Sequence, residues 1–339
     1  MIRAGQLPET PVAAAAVKYA CPRCRSERVT MDAGVTCAAC GATYSLLNGI
    51  HIDFTGPILG FEDWWAESAE ATERWLADEA PKEEAFQVGV ARNYVIPLLR
   101  ELGYAPGRAS LLSGACGLGA EVDFLNDAGY ATWGVDYGSR IVRWPERRYP
   151  ERLARADLFR LPFVDGAFDF VMALNVLEHV GTVGDSFAVT EDYQEQRRAA
   201  IAALLGATKP GGYVLLGCIN RRFPLDFFHT QETRWARVRV HTPWERFGLS
   251  YGDHRRLSLS TGLAEWARPL PLRGFFSYLN LRRSPARPLL PIVDWLLGGL
   301  PVQVYGSWLS FFTIVLVRRN QLPADRAASI NWGVNHGSA

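Results

Sequence analysis

The chain has 339 residues, room for one large domain and a small one. A hydrophobic share of 48% with a charged share of 21% excludes a disordered or fibrous chain. A net charge of +1 argues against a strongly basic, phosphate-binding surface, although a local patch remains compatible with it. The basic residues are almost all arginine; lysine stands only at 18, 82 and 209, which reads as composition before function.

Residues 1–18 show no amphipathic period and read as a disordered tail. Ala13 to Val17 is too short and too weakly apolar for a signal-peptide core, so the expected compartment is the cytoplasm. Next come Cys21, Cys24, Cys37 and Cys40, spaced C-x2-C-x12-C-x2-C. Four thiolates on two knuckles suit tetrahedral Zn2+ with no open position, hence a structural site. In a reducing compartment paired CxxC reads as metal, with a disulfide or a vestigial site as the alternative. We expect a zinc ribbon over residues 19–56, with short strands near Thr43-Tyr44-Ser45-Leu46 and metal supplying much of its folding energy. His51 reads as a surface or interface histidine, not a fifth ligand.

Residues 57–104 read as a helical lid or linker. Tyr94, Val95, Leu98, Leu99 and Leu102 recur at helical spacing, and Pro97 starts or kinks a helix. Phe61, Trp64, Trp65 and Trp75 read mostly as packing between ribbon and main domain.

The main domain, residues 105–320, opens on Leu111-Leu112-Ser113-Gly114-Ala115-Cys116-Gly117-Leu118-Gly119. An apolar strand breaks into glycines, and a helical pattern runs from Leu118 to Ala128. Glycines let a ligand approach the backbone, and the helix N-terminus beyond offers free N–H groups. A second strand, Ala131 to Val135, ends in Asp136, followed by Tyr137. Asp136 lies seventeen residues past Gly119, near the spacing of a ribose-binding acid. A third strand, Arg152 to Ala156, ends in Asp157-Leu158. Phe168-Asp169-Phe170-Val171-Met172-Ala173 is a fourth, followed by Asn175-Val176-Leu177-Glu178-His179-Val180. Lys209-Pro210-Gly211-Gly212 turns into a fifth.

This ordered set resembles the class I S-adenosylmethionine (SAM)-dependent methyltransferases over roughly residues 90–319. The resemblance implies an α/β, Rossmann-like seven-stranded sheet, here with the ribbon and helical lid added. It implies SAM as cofactor, held by Ser113, Gly114, Ala115, Cys116, Gly117, Gly119, Asp136, Tyr137, Asp157, Leu158 and Asn175. Two positions depart from the family pattern: Ser113 stands where an acid is usual, and Ala115 where the first loop glycine is usual. Cys116 reads as a buried loop thiol, not a nucleophile. Similar cysteine knuckles precede the fold in some bacterial rRNA guanine methyltransferases, where they help to hold RNA. Here the knuckles carry Arg25 and Arg28 against Glu27 and Asp32, which is not a strongly basic surface.

Residues 220–263 form an insertion rich in aromatic and ionisable residues. Four of six histidines, at 179, 229, 241 and 254, fall at or beyond the ends of strands four and five, the edge where open α/β sheets bind ligands. Methylation of a hydroxyl benefits from a group that takes its proton. His229, beside Asp226, is the first candidate and His179 the second. Residues 295–317 carry no charge, but Gly298, Gly299, Pro301, Gln303 and Gly306 interrupt them, so a final strand fits better than a transmembrane segment. The tail from 321 reads as frayed. The expected activity is methyl transfer to a small-molecule or glycan-like hydroxyl. An rRNA or tRNA base methyltransferase that uses the ribbon for RNA contact, and a noncatalytic SAM-fold binding protein, are the alternatives.

Overall fold

The computed structural model describes residues 17–32, 34–55, 69–184, 186–229, 239–275 and 290–321. Outside it lie most of the two terminal tails, Phe61, Trp64 and Trp65 of the helical reading, and residues 230–238 of the insertion.

The cysteine segment folds into β1 (Val29–Met31), β2 (Val35–Cys37) and β3 (Thr43–Tyr44), an antiparallel sheet in the order β1-β2-β3. Then come β4 (Leu46–Leu47) and β5 (His51–Asp53). Helices α1 (Ala69–Asp78) and α2 (Ala80–Val90) follow, and α2 passes through a π turn, Ala91–Val95, into α3 (Ile96–Glu101). Pro97 sits in the first turn of α3. It lacks the N–H an unbroken helix would need there, and the wider turn before it absorbs the fault.

Next in order are β6 (Ser110–Gly114), α4 (Ala120–Asp127), β7 (Ala131–Asp136), β8 (Leu153–Arg155), β9 (Phe168–Leu174), α5 (Tyr193–Ala207) and β10 (Thr208–Ile219). The insertion supplies a small hairpin, β11 (Leu225–Asp226) with β12 (Arg239–Val240), and α6 (Tyr251–Ser260). The chain ends in β13 (Ala264–Pro269), α7 (Leu290–Gly299), α8 (Val302–Tyr305) and β14 (Phe312–Arg319). Among the described residues no helix is long and apolar enough to cross a membrane.

The main sheet runs β13-β14-β10-β9-β6-β7-β8-β5-β4. Strands β8, β7, β6, β9 and β10 are parallel neighbours, and β14 lies antiparallel between β10 and β13. The seven expected strands are therefore present, and the sheet is longer than seven. β5 pairs in parallel with β8, Ile52 opposite Ala154 and Asp53 opposite Arg155, and β4 closes the edge. The reason is physical: a three-residue edge strand such as β8 leaves bare N–H and C=O groups, and the chain leaving the cysteine segment covers them.

Alternation along the strands divides the core into two layers. Leu112, Val171, Ala173, Val214, Leu216, Val315 and Val317 face α5 and α6. Leu111, Phe170, Met172, Leu215, Ile314 and Leu316 face Val95, Leu99 and Leu125. The cysteine segment joins the first layer, with Cys21, Val35, Cys37, Tyr44 and Phe54 continuous with Leu161 and Phe163. The chain order reverses between β6 and β9, so a ligand crevice is expected at their carboxyl ends.

Candidate active site

The glycine loop lies at that reversal. Gly117 has φ +52° and Gly119 φ +74°, conformations that a glycine adopts without cost. Ala115 has φ +62° and no such freedom. The loop is tied from both sides. The Gly117 N–H donates to Asp136 Oδ2 at 2.8 Å, and Gly138 N–H donates to Oδ1 at 2.8 Å. Trp144, fully buried, donates Nε1–H to the Gly117 carbonyl at 2.9 Å. Gln87 of α2 spans the turn: its Nε2 donates to Cys116 O at 3.1 Å, and its Oε1 accepts from Ala120 N at 3.0 Å.

Ser113 donates its hydroxyl to Glu121 Oε1 at 2.8 Å. Both are buried, and Glu121 Oε2 has no partner. Burial pushes the Glu121 carboxyl up to about 7, against the Ser113 hydrogen bond. The acid missing from position 113 is thus replaced, in space, by one from the first turn of α4. Cys116 is buried under the loop, and burial raises its thiol well above the usual range. That excludes a ready thiolate.

Asp157 accepts from Phe159 N at 2.9 Å, capping the short turn Leu158–Arg160. Tyr137 lies between the two acids; burial first, then Asp136 and Asp157, raise its hydroxyl. Leu158 turns inward and is buried beneath Gly114, where it belongs to the first core layer. Asn175, at the end of β9, has φ +55°, and its buried Oδ1 has no partner.

These groups fit SAM. A Cβ at Gly117 would sit 3.1 Å from Gln87 and Glu83 and 3.3 Å from Arg140, so these three side chains lie against the loop at a φ that favours glycine. The Asp136 oxygens keep lone pairs beyond the two N–H groups they accept, as ribose hydroxyls require. The orphaned Asn175 and Glu121 oxygens offer acceptors at the same strand ends.

Across the crevice, the insertion meets the segment after β9. Asp226 is buried and accepts from Phe228 N (2.9 Å), His229 N (3.1 Å), His229 Nδ1 (3.0 Å) and Arg239 Nε (3.3 Å). Burial alone would raise its carboxyl; the His229 hydrogen bond and charge and the two N–H groups outweigh it and hold it well below the usual range. His229 Nε2 lies 3.2 Å from His179 Nε2. Burial, then His229 and Arg140, lower the His179 ring to about 4. Arg140 itself is paired with Glu83 at 2.8 Å and lies against Gly117. Phe247 stands edge-on to both rings, at 4.9 and 5.2 Å. Glu178 is fully buried beside them with neither oxygen partnered, and burial raises its carboxyl to about 7.

Of the four histidines singled out, the structure brings together 179 and 229. His254 is buried against Cys218, Nε2 to Sγ 3.3 Å, in the interior. His241 is buried with Nδ1 3.3 Å from the Thr242 carbonyl. Sequence reasoning missed Glu121, Gln87, Trp144 and Glu178. Only Glu178 carried a signal, since it adjoins His179.

At the other end the four cysteines converge. Cys21 Sγ lies 3.7 Å from Cys40 Sγ and Cys24 Sγ 3.6 Å from Cys37 Sγ, and all four lie within 4.8 Å of one another. The two knuckles repeat: Arg25 N bonds Cys21 O, Gly41 N bonds Cys37 O, and Arg25 and Gly41 both have positive φ. Arg25, though its side chain is 44% exposed, is tied to the main domain. Its guanidinium donates to the carbonyls of Leu161 (2.6 Å) and Phe163 (2.7 Å) and to Asp165 (2.8 Å) on the main domain. His51 is a buried interface residue, bonded to the Pro150 carbonyl at 3.0 Å and set against Trp144.

A reversed parallel sheet, a glycine loop tied to a strand-end acid and an adjoining polar cluster around a buried carboxylate are the features expected of a SAM-dependent methyltransferase. Residues 112–216 match the family described as a methyltransferase domain, and the chain is a methyltransferase enzyme of that general kind. No curated protein matches it in sequence. Among solved structures it is similar to a SAM-dependent methyltransferase from Mesorhizobium loti (15% identity, 66% of this chain and 96% of that one, TM-score 0.40). It is also similar to the CcbJ methyltransferase from Streptomyces caelestis (12%, 69% and 89%, TM-score 0.42). A third is geranyl diphosphate C-methyltransferase from Streptomyces coelicolor A3(2) (18%, 76% and 84%, TM-score 0.36).

Proposed function

We propose that the enzyme methylates a hydroxyl of a small molecule, with His229, His179 and Asp226 on the acceptor side. The observation that carries this reading is the contact of His229 with His179, Nε2 to Nε2 at 3.2 Å, on the segment that leaves the carboxyl end of β9. When bound, SAM supplies a methyl on positively charged sulfur. Asp136 accepts from the ribose, Asn175 and Ser113–Glu121 hold the amino-acid end, and Tyr137 and Asp157 flank the adenine. Asp226, locked by two backbone N–H groups and Arg239, fixes the His229 ring through Nδ1 and leaves Nε2 toward the acceptor. Phe187 and Phe247 keep water from one flank of the His229 ring.

A small acceptor is favoured over RNA by the fate of Arg25, which is spent on the main domain. The cysteine cluster holds structural Zn2+ in this reading. A ZnS4 tetrahedron with bonds of about 2.3 Å has edges of about 3.8 Å, which the 3.7 and 3.6 Å sulfur separations match. The test is transfer from methyl-labelled SAM to a fractionated metabolite pool. Label in a small-molecule methyl ether supports the reading. Label only in RNA, or on nitrogen or carbon, overturns it.

A further inference from the structure

The acceptor side contains more than a base needs. Glu178 is fully buried, and among the described residues neither of its carboxylate oxygens has a partner. Burying a carboxylate without a partner is costly, and such groups are normally paired or bound to a cation. The two imidazoles beside it present Nε2 to Nε2 at 3.2 Å. A ligand atom of Glu178 and one from each histidine lie within 4.8 Å of one another. Bonds of about 2.1 Å to a first-row ion set neighbouring ligands about 3.0–3.4 Å apart, in octahedral or tetrahedral geometry. The histidine spacing falls in that interval.

The surroundings are those of a built site. Asp226 accepts from His229 Nδ1 at 3.0 Å, which fixes the ring with Nε2 inward, as carboxylates do behind metal-bound histidines. Arg239 holds Asp226 and is itself paired with Glu245 at 2.6 Å. Arg197 donates to the carbonyls of Glu178 (3.0 Å) and Val180 (3.1 Å) and pins the segment that carries two of the ligands. Asp226, Arg239 and Arg197 are thus all bonded in place around the three.

We propose that Glu178, His179 and His229 bind one divalent ion of the Zn2+ type, which holds the acceptor oxygen in front of the methyl group. Two histidines and a glutamate with an open position are the donor set of a catalytic zinc. The inference rests on the hydroxyl-acceptor reading and sharpens it: His229 Nε2 becomes a ligand, and the ion lowers the pKa of the hydroxyl, making it more acidic. On binding, the acceptor O–H bond breaks and its proton passes to solvent. An oxygen lone pair then forms the O–CH3 bond as the S–CH3 bond breaks, and that electron pair stays on sulfur. The ion keeps its oxidation state.

Cobalt titration of the full chain, stripped with chelator, tests the site without an acceptor. Two equivalents are expected. The first gives the thiolate-to-cobalt band of the cysteine cluster; the second gives visible bands without thiolate absorption. His229→Asn and Glu178→Gln should weaken the second equivalent at least tenfold and leave the thiolate band unchanged, with SAM affinity reporting that each variant is folded. Asp226→Asn should weaken it about tenfold. A single equivalent, or a second one indifferent to these substitutions, overturns the inference. Its failure is separable from that of the hydroxyl reading, because metal count decides the former and the position of transferred label the latter.

Discussion

At the scale of single residues, the site departs from its family pattern in ways that can be measured. Ala115 occupies a left-handed conformation that costs an L-residue about 1–2 kcal/mol. Ala115→Gly should stabilise the protein by about 1 kcal/mol once glycine's greater unfolded freedom is subtracted, seen as a rise in melting temperature. An unchanged or lower melting temperature would show that the loop does not carry that strain. Asp136→Ala removes the acceptor for two backbone N–H groups as well as the proposed ribose acceptor. Charged hydrogen bonds contribute about 1.5–3 kcal/mol, so calorimetry should find SAM binding weakened by about ten- to a hundredfold. Glu121 is the residue no linear pattern revealed. Ser113 was legible as a missing acid, but its replacement comes from eight residues on, and only the turn of α4 shows that the two meet. Its consequence is a pH dependence. Ser113, Glu83, Arg147 and Cys116 face it, and burial keeps its folded carboxyl near 7 against an ordinary 4.5. Between those values the unfolded chain releases the proton and the folded one keeps it, so stability falls as pH rises and the deficit is constant above about 7. The full contribution is about 3 kcal/mol. Glu121→Gln should remove that slope, and wild-type and variant denaturation curves at pH 4.5 and 8 compare it directly. Equal slopes in the two proteins would contradict the assignment.

At the scale of elements, the parallel strands were legible because strands buried on both faces are continuous apolar runs between turn signals. β6, β7, β9 and β10 are of this kind. β11 and β12 were not legible, since two-residue strands have no period, and they are what places Asp226 opposite Arg239. The role of α2 was half legible: its helicity shows in the sequence, but Gln87 is one polar residue among several until its contacts with Cys116 and Ala120 are seen. Arg197 illustrates the same limit. It reads as an ordinary helix arginine, yet it is buried and donates to the carbonyls of Val180, Glu178, Arg246 and Phe247. It thereby joins α5 to both chain segments of the acceptor side. Arg197→Met fills similar volume and orphans four carbonyls, so a loss of about 3 kcal/mol or more in denaturant unfolding is expected. In the variant, SAM affinity should change less than turnover, because none of the four carbonyls belongs to the glycine loop. Loss of SAM binding to the same degree as turnover would refute that separation.

At the scale of the whole molecule, the cysteine segment is part of the enzyme's sheet and core. The convergence of its four thiols was legible from spacing alone. Its attachment was not, because parallel pairing of β5 with β8 brings together residues about a hundred positions apart. The coupling has three parts: the β5–β8 ladder with Asp53–Arg155 at 3.3 Å, the Arg25 clamp, and the shared apolar layer around Phe54 and Phe163. On the proposed zinc reading, a small segment with four clustered thiols and few core residues would depend on the ion to fold. Removing the ion should therefore act at a distance, but only along one edge. Hydrogen exchange on chelator-treated protein should show β1, β2 and β3 losing protection first. The amides of β5 and of its partner β8 should follow by a smaller factor, while β9 and β10, in the sheet centre, keep theirs. Arg25→Ala should produce the β5 and β8 changes with the metal still bound, since it cuts the clamp and spares the cysteines. If β9 and β10 lose protection together with β1–β3, the ion supports the whole fold and not an edge. If nothing changes on chelation, the cysteine cluster does not owe its fold to a metal.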